Sequence, residues 1–162
     1  MTVRVAVLTV SDEGAAGRRE DTSGGLIVDW IGARGYELSA REIVPDETDL
    51  IAGLLARWSD SGSIDLIVTT GGTGMGPRDV TPEATRSVLE REAPGIAEAI
   101  RTDGRATTPY SLLSRGLCGV RGTTLIVNLP GSTGGVRDGV GTLTPLIEHA
   151  VQLLRNEETD HA

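Results

Sequence analysis

TTGGTGMGPRDVTPEAT, residues Thr69 to Thr85, sets the end of an apolar run against a glycine-rich loop and then against the start of a helix. The run itself, Leu66 to Thr70, reads as a buried strand. Gly71, Gly72 and Gly74 permit positive φ and let main-chain N–H groups approach an anion closely, while Thr73 adds a hydroxyl without bulk. Three glycines in four positions exceed what a tight turn requires. Thr81 and Pro82 read as an N-cap and first-turn pair for a helix reaching about Arg91. Asp79 stands in the same loop, so a carboxylate and a phosphate cradle fall within a few residues, an arrangement that suits a divalent cation between them.

Working outward, Val3 to Val10 is a near-continuous apolar run and reads as a buried strand. Asp21, Thr22 and Ser23 offer caps for a helix with Leu26, Ile27, Trp30 and Ile31 on one face, stopping at Gly35. Tyr36 to Val44 alternates as a second strand ended by Pro45, and Leu50, Ile51, Leu54, Leu55 and Trp58 mark an amphipathic helix. Beyond the glycine loop, Thr107 to Val120 looks helical in its first half. Thr123 to Leu129 is a fourth strand, Pro130 and Gly131 turn the chain, and a last helix spans roughly Thr144 to Arg155.

Strands alternating with helices predict an α/β domain with a largely parallel central sheet covered on both faces. In such sheets ligands gather outside the carboxyl ends of the strands. Those ends carry Ser11 and Asp12, Pro45 and Asp46, Gly71 to Gly74, and Pro130, Gly131 and Ser132. Four separate segments thus deliver small or acidic residues to one rim.

The length, 162 residues, fits one domain over residues 1–155 with a polar tail at 156–162. No run approaches the roughly 20 apolar residues of a membrane span, and the N-terminus enters a strand without the regions of a signal peptide, so a cytoplasmic location and no membrane partner are expected. The single cysteine, Cys118, reads as core filler. A formal charge of −8 argues against nucleic acid as a partner, but not against a small anion held by main-chain dipoles, a cation and local arginines. Every one of the 15 basic residues is arginine, which removes the Walker-type loop with its phosphate lysine.

Several of these residues also have plain roles open to them. Asp46 after Pro45 serves equally as a turn or cap residue, and Asp79 as a cap for the following helix. Ser11 and Asp12 could do no more than satisfy strand-end amides. Ser132 could be a turn hydroxyl, and Arg78 offers either a bidentate phosphate contact or a solvated side chain.

With those residues in hand, the chain resembles the MogA/MoaB family of molybdenum cofactor biosynthesis proteins over nearly its whole length. The resemblance rests on GGTG followed by PRDVTPEAT, supported by VSD at Val10 to Asp12, VPDE at Val44 to Glu47, Ser114 with Arg115, and NLPGS at Asn128 to Ser132. It implies a three-layer α/β/α sandwich, commonly a trimer, that binds molybdopterin and, in the MogA branch, adenylylates it with ATP and Mg²⁺. Asp46 and Asp79 match the acidic residues the family requires, as catalytic groups and metal ligands. Gly71 to Gly74 and Pro130 to Ser132 match its ligand-contacting loops. Partners implied are the small-molecule substrates, copies of the chain and other proteins of the pathway.

Two features depart from a simple match. Thr133, Gly134 and Gly135 follow the PGS turn where many relatives have proline and a polar residue. DTSG at Asp21 to Gly24 and PGST at Pro130 to Thr133 look more like the MoaB branch, whereas PRDVTPEAT looks more like MogA. The alternative to an adenylyltransferase is therefore a MoaB-like carrier that binds molybdopterin without catalysis. In the enzymatic reading the nucleophile, a terminal phosphate, is already anionic, so alignment and charge neutralisation matter more than a general base.

Overall fold

Arg4–Val10 (β1) leaves the N-terminus as a strand with both faces covered, and Glu37–Val44 (β2), Leu66–Thr70 (β3) and Thr124–Leu129 (β6) run parallel to it. The computed structural model describes residues 1–159; residues 160–162, the end of the expected tail with His161, lie outside the described residues. Two short strands, Arg91–Glu92 (β4) and Cys118–Arg121 (β5), extend the sheet antiparallel beside β6, giving the order β2-β1-β3-β6-β5-β4. The helices are Asp12–Ala15 (α1), Thr22–Ala33 (α2), Thr48–Asp60 (α3), Thr81–Val88 (α4), Pro94–Gly104 (α5), Thr133–Leu143 (α6) and Ile147–Leu154 (α7).

Side-chain alternation along the strands sorts the core into two layers, giving the expected α/β/α sandwich. Val5, Val7, Leu66, Val68, Leu125 and Val127 point to the face covered by Ile27 and Ile31 of α2, Val136 and Leu143 of α6, and Ile147 and Val151 of α7. Ala6, Leu8, Ile67 and Ile126 point to the other, against Ile51, Leu54 and Leu55 of α3 and Ala84 and Val88 of α4. Each fully buried Leu or Ile contributes roughly 1.5–3 kcal/mol. The face decides the partner.

Several sequence expectations change here. The helix after the glycine loop ends at Val88, because Leu89 turns to extended backbone at ψ 136° and the chain enters β4. The stretch Thr107 to Val120 holds only a 3₁₀ turn, Pro109–Leu113, before β5, since Arg91 and Glu92 pair with Val120 and Gly119 and draw that segment into the sheet. The expected last helix, Thr144 to Arg155, is α7, and two helices not read from the sequence, α5 and α6, precede it, α5 with its apolar Ala97 and Ile100 buried.

At the opposite end of the sheet from the glycine loop, Asp65 is buried and holds three segments together. Arg4 donates to it from its main chain (2.8 Å) and guanidinium (3.0 and 2.9 Å), and Arg155 from beyond α7 donates twice (3.1 and 2.6 Å). Burial alone would raise the Asp65 carboxyl, but the hydrogen bonds from Arg4 and Arg155 outweigh it and hold the group well below the usual carboxylate range. A depressed folded-state pKa contributes stability above the unfolded value near 4, and that contribution is lost as pH falls below it. Asp65→Ala is expected to cost about 3 kcal/mol at pH 7, because breaking a buried pair strands its partners. Denaturant titrations at pH 7 and pH 3 should show the difference between wild type and variant shrinking at the lower pH.

Candidate active site at the carboxyl edge of the sheet

The four parallel strands end side by side, and the loops that follow them meet. Gly71 has φ 95° and Gly72 φ 68°, so both occupy backbone conformations that an L side chain resists. Thr81 closes this bend, with its N–H donating to the Gly72 carbonyl (3.1 Å) and its hydroxyl to the Gly71 carbonyl (2.9 Å). Thr81 is thus the first residue of α4 and not its cap; Val80 holds that position without a side-chain hydrogen bond.

The β6 turn is fixed from both sides. The Thr70 hydroxyl donates to the Pro130 carbonyl (2.7 Å), and the Ser23 hydroxyl to the Gly131 carbonyl (2.6 Å). Ser132 caps α6 by accepting from the Gly135 N–H (3.1 Å). Four glycines in α6 weaken its propensity, yet two of them let it approach the sheet. A Cβ on Gly139 would lie 2.6 Å from Leu129 and one on Gly135 2.8 Å from Pro130.

Two cavities adjoin on this edge. One, about 460 Å³, is lined by Gly72, Thr73, Gly74, Ile100, Arg101, Leu113 and Pro130 among others. The second, about 570 Å³, is lined by Ser11, Asp21, Ser23, Asp46, Thr70 and Gly71 among others. Both volumes lie in the range of small-molecule sites. Gly72, Asp79, Gly131 and Ser132 line both, and so mark where the two spaces meet.

Among the described residues, the Gly71 N–H is taken by the Leu129 carbonyl (3.3 Å), while no protein acceptor takes the N–H of Gly72, Thr73 or Gly74. Amides left unpaired beside a cavity need an acceptor from outside, and an anion's oxygens supply one. The N-terminal amides of α6 add a favourable dipole.

The carboxylates divide into two roles. Asp46 and Asp12 exchange main-chain bonds, the Asp12 N–H donating to Asp46 Oδ2 (2.9 Å) and the Asp46 N–H to Asp12 Oδ1 (3.0 Å). Burial pushes the Asp46 carboxyl up, and the charges of Asp12 and Asp79 push the same way. The Arg78 guanidinium holds the Asp12 carboxyl down through bonds of 3.1 and 2.9 Å. Arg78 and Asp12 line neither cavity; each occupies the other.

Asp79 does not cap α4. Its Oδ2 accepts from the Gly76 N–H (2.9 Å), which folds the carboxylate back toward Gly74 and Gly76. Nor does Asp46 cap α3, whose N-cap is Glu47 without a side-chain bond. Of the residues predicted from the sequence, Gly71, Gly72, Thr73, Gly74, Pro130, Gly131, Ser132, Ser11, Asp46 and Asp79 therefore line the cavities. Sequence reasoning missed Thr70, Ser23 and Asp21, whose signals were hydroxyls and a cap placed at strand and helix ends.

Residues 6–149 match the family described as "Probable molybdopterin binding domain". The chain belongs to that family. It is similar to the molybdenum cofactor synthesis protein cinnamon of Drosophila melanogaster, 43% identical over 96% of this chain, and spans only 26% of that longer protein. It is also similar to the molybdopterin adenylyltransferase of Helicobacter pylori, 39% identical over 94% of this chain and 88% of that one. Among solved structures, the molybdopterin biosynthesis enzyme MoaB from Thermus thermophilus is 47% identical with a TM-score of 0.90, covering 96% of this chain and 98% of that one. As a molybdopterin-binding-domain protein the chain contains no helix, among the described residues, long and apolar enough to cross a membrane.

Proposed function

We infer that this chain is a molybdopterin adenylyltransferase, transferring AMP from ATP to the terminal phosphate of molybdopterin. The observation that carries the reading is the junction of two cavities on Gly72, Asp79, Gly131 and Ser132, since the reaction must bring two polyanions end to end. Similarity to a named adenylyltransferase over nearly the full chain supports it.

In this reading a phosphate oxygen of the pterin attacks the α-phosphorus of ATP, the bond to the β-phosphate oxygen breaks, and pyrophosphate leaves. The amides of Gly72 to Gly74 and the start of α6 hold phosphate oxygens at the junction, replacing water with fixed dipoles. Arg78 is engaged with Asp12 and is assigned no phosphate contact.

Asp46 and Asp79 are the residues that would hold Mg²⁺. Both line the second cavity, and each has one carboxylate oxygen in a main-chain bond while no hydrogen bond among the described residues engages the other. Hard carboxylate oxygens suit that ion. Mg²⁺ would supply charge neutralisation between the phosphates. The carboxylates keep their place without it through the Asp12 and Gly76 amides. The homotrimer, the cytoplasmic setting and contacts with other pathway proteins belong to the same reading.

Purified protein mixed with molybdopterin, ATP and Mg²⁺ should release pyrophosphate and yield the adenylylated pterin. Folded protein that binds the pterin but neither turns over nor binds ATP with Mg²⁺ would replace the enzyme with the carrier.

A further inference from the structure

Asp79 reaches the cavity junction on an exposed bend. Met75 is 73% exposed, and the bend's own bonds run between Gly76 and Asp79, from Gly76 N–H to Asp79 Oδ2 (2.9 Å) and from Asp79 N–H to the Gly76 carbonyl (3.0 Å). Those bonds close four residues on themselves and attach them to nothing else. The Arg78 pair with Asp12 is an outside tie, but the Arg78 side chain is largely in water and Asp12 is partly so, where such pairs hold weakly.

Arg115, between the 3₁₀ turn and β5, is the other outside tie. Its main-chain N–H donates to the Thr73 carbonyl (2.8 Å), its Nε to the Gly74 carbonyl (2.8 Å) and its Nη2 to the Asp79 carbonyl (2.8 Å). Nη1 meets Glu83 on α4, which anchors the fork from below. A guanidinium presents its donors in one rigid plane, so it can hold the two ends of a bend at a fixed separation. Lysine, with one nitrogen, cannot.

We propose that Arg115 is the positioning residue for Asp79, strapping the Thr73 to Asp79 bend so that the carboxylate stands where the two cavities meet. Arg115 itself lines neither cavity, so it acts through the main chain and not on a ligand. Its kinetic consequence rests on the adenylyl-transfer reading; the strap itself does not.

The test compares the full chain with Arg115→Gln and Arg115→Lys by amide hydrogen exchange and by turnover. Exchange at the Gly76 and Asp79 amides, the two in the bend that carry hydrogen bonds, should rise about tenfold or more while residues 66–70 of β3 stay within about twofold. Turnover number should fall about 30-fold and the Mg²⁺ concentration for half-activity rise about fivefold, with the KM for molybdopterin within about threefold. Unchanged exchange in the bend overturns the proposal, as does faster exchange with wild-type turnover and Mg²⁺ requirement. Loss of protection throughout β3 also overturns it, because Arg115 would then support the whole fold. If Arg115→Gln fails to fold, Glu83→Gln, which removes only the anchor, should show a smaller rise confined to the bend. Absence of turnover in wild type would remove the enzymatic reading while the exchange comparison still decides whether the strap exists.

Discussion

Asp79→Asn should lower molybdopterin adenylylation at least about 100-fold, with a change in melting temperature of no more than about 2 °C. The asymmetry follows from what the side chain does in the fold. Its Oδ2 accepts one hydrogen bond, from the Gly76 amide, and an asparagine carbonyl oxygen can accept the same bond. Asparagine therefore keeps the bend and loses only the charge. A factor of 100 corresponds to about 2.7 kcal/mol of transition-state stabilisation, a reasonable share for one carboxylate that would hold the cation offsetting phosphate repulsion. Steady-state kinetics and thermal melts on the same preparation check it, and an equal loss of both would mean that Asp79 is structural.

Asp46→Asn sharpens the comparison. The Asp46 carboxyl is pushed up by burial and by two neighbouring carboxylates, so its ionised form is disfavoured in the folded state. A raised folded-state pKa gives stability that is present below the unfolded value and lost as pH rises through the folded one. At pH 7 the ionised group thus weakens the fold, and asparagine should be neutral or stabilising there while turnover falls. Sites retained against stability in this way are expected where charge serves chemistry.

Three of the four parallel strands were legible because Val3 to Val10, Leu66 to Thr70 and Thr123 to Leu129 are apolar on both faces, a pattern that few alternatives explain, and the fourth, β2, was read from its alternation. What escaped was the antiparallel edge. β4 is two residues long and both are exposed, so its pairing with β5 comes from tertiary contact and leaves no periodicity to read. α6 escaped for a different reason. Four glycines argue against a helix by propensity, and the proximity of Pro130 and Leu129 explains two of them, Gly135 and Gly139. At the site, the residue types were readable and their pairings were not. Nothing in the spacing of Asp12 and Asp46, 34 residues apart, announces that each accepts from the other's amide. Arg115 was visible as part of a motif, but its three carbonyl partners come from a segment some 36 to 42 positions away, within reach only once β5 lies beside β6.

Gly71→Ala should be the most destabilising single-methyl change on this edge, by about 3–5 kcal/mol, or roughly 10 °C in a domain of this size. An ideal Cβ there would stand 2.2 Å from the Val10 carbonyl oxygen and 3.3 Å from its carbon. Both are main-chain atoms. They cannot rotate away as a side chain would, because Val10 lies in β1 paired with Val44, and the next residue's N–H is bonded to the Val44 carbonyl (2.9 Å). The φ of 95° adds strain for any L residue, about 1–2 kcal/mol. The chain would relieve the clash by moving the bend outward, which breaks the bond from the Thr81 hydroxyl to the Gly71 carbonyl and carries the Gly72 to Gly74 amides with it. Turnover should therefore fall along with stability. Gly72→Ala differs in direction, since its Cβ would meet the Thr81 hydroxyl at 2.3 Å, Asp46 Oδ1 at 3.1 Å and Val10 Cγ1 at 3.2 Å, striking side chains and not the main chain of the sheet. Gly25→Ala in α2 serves as the control, with no heavy atom within 4 Å of the new methyl, and should raise stability by about 0.5–1 kcal/mol. If urea titrations placed Gly71→Ala within about 1 kcal/mol of wild type with turnover intact, the close approach of the glycine bend to β1 would not be what shapes this site.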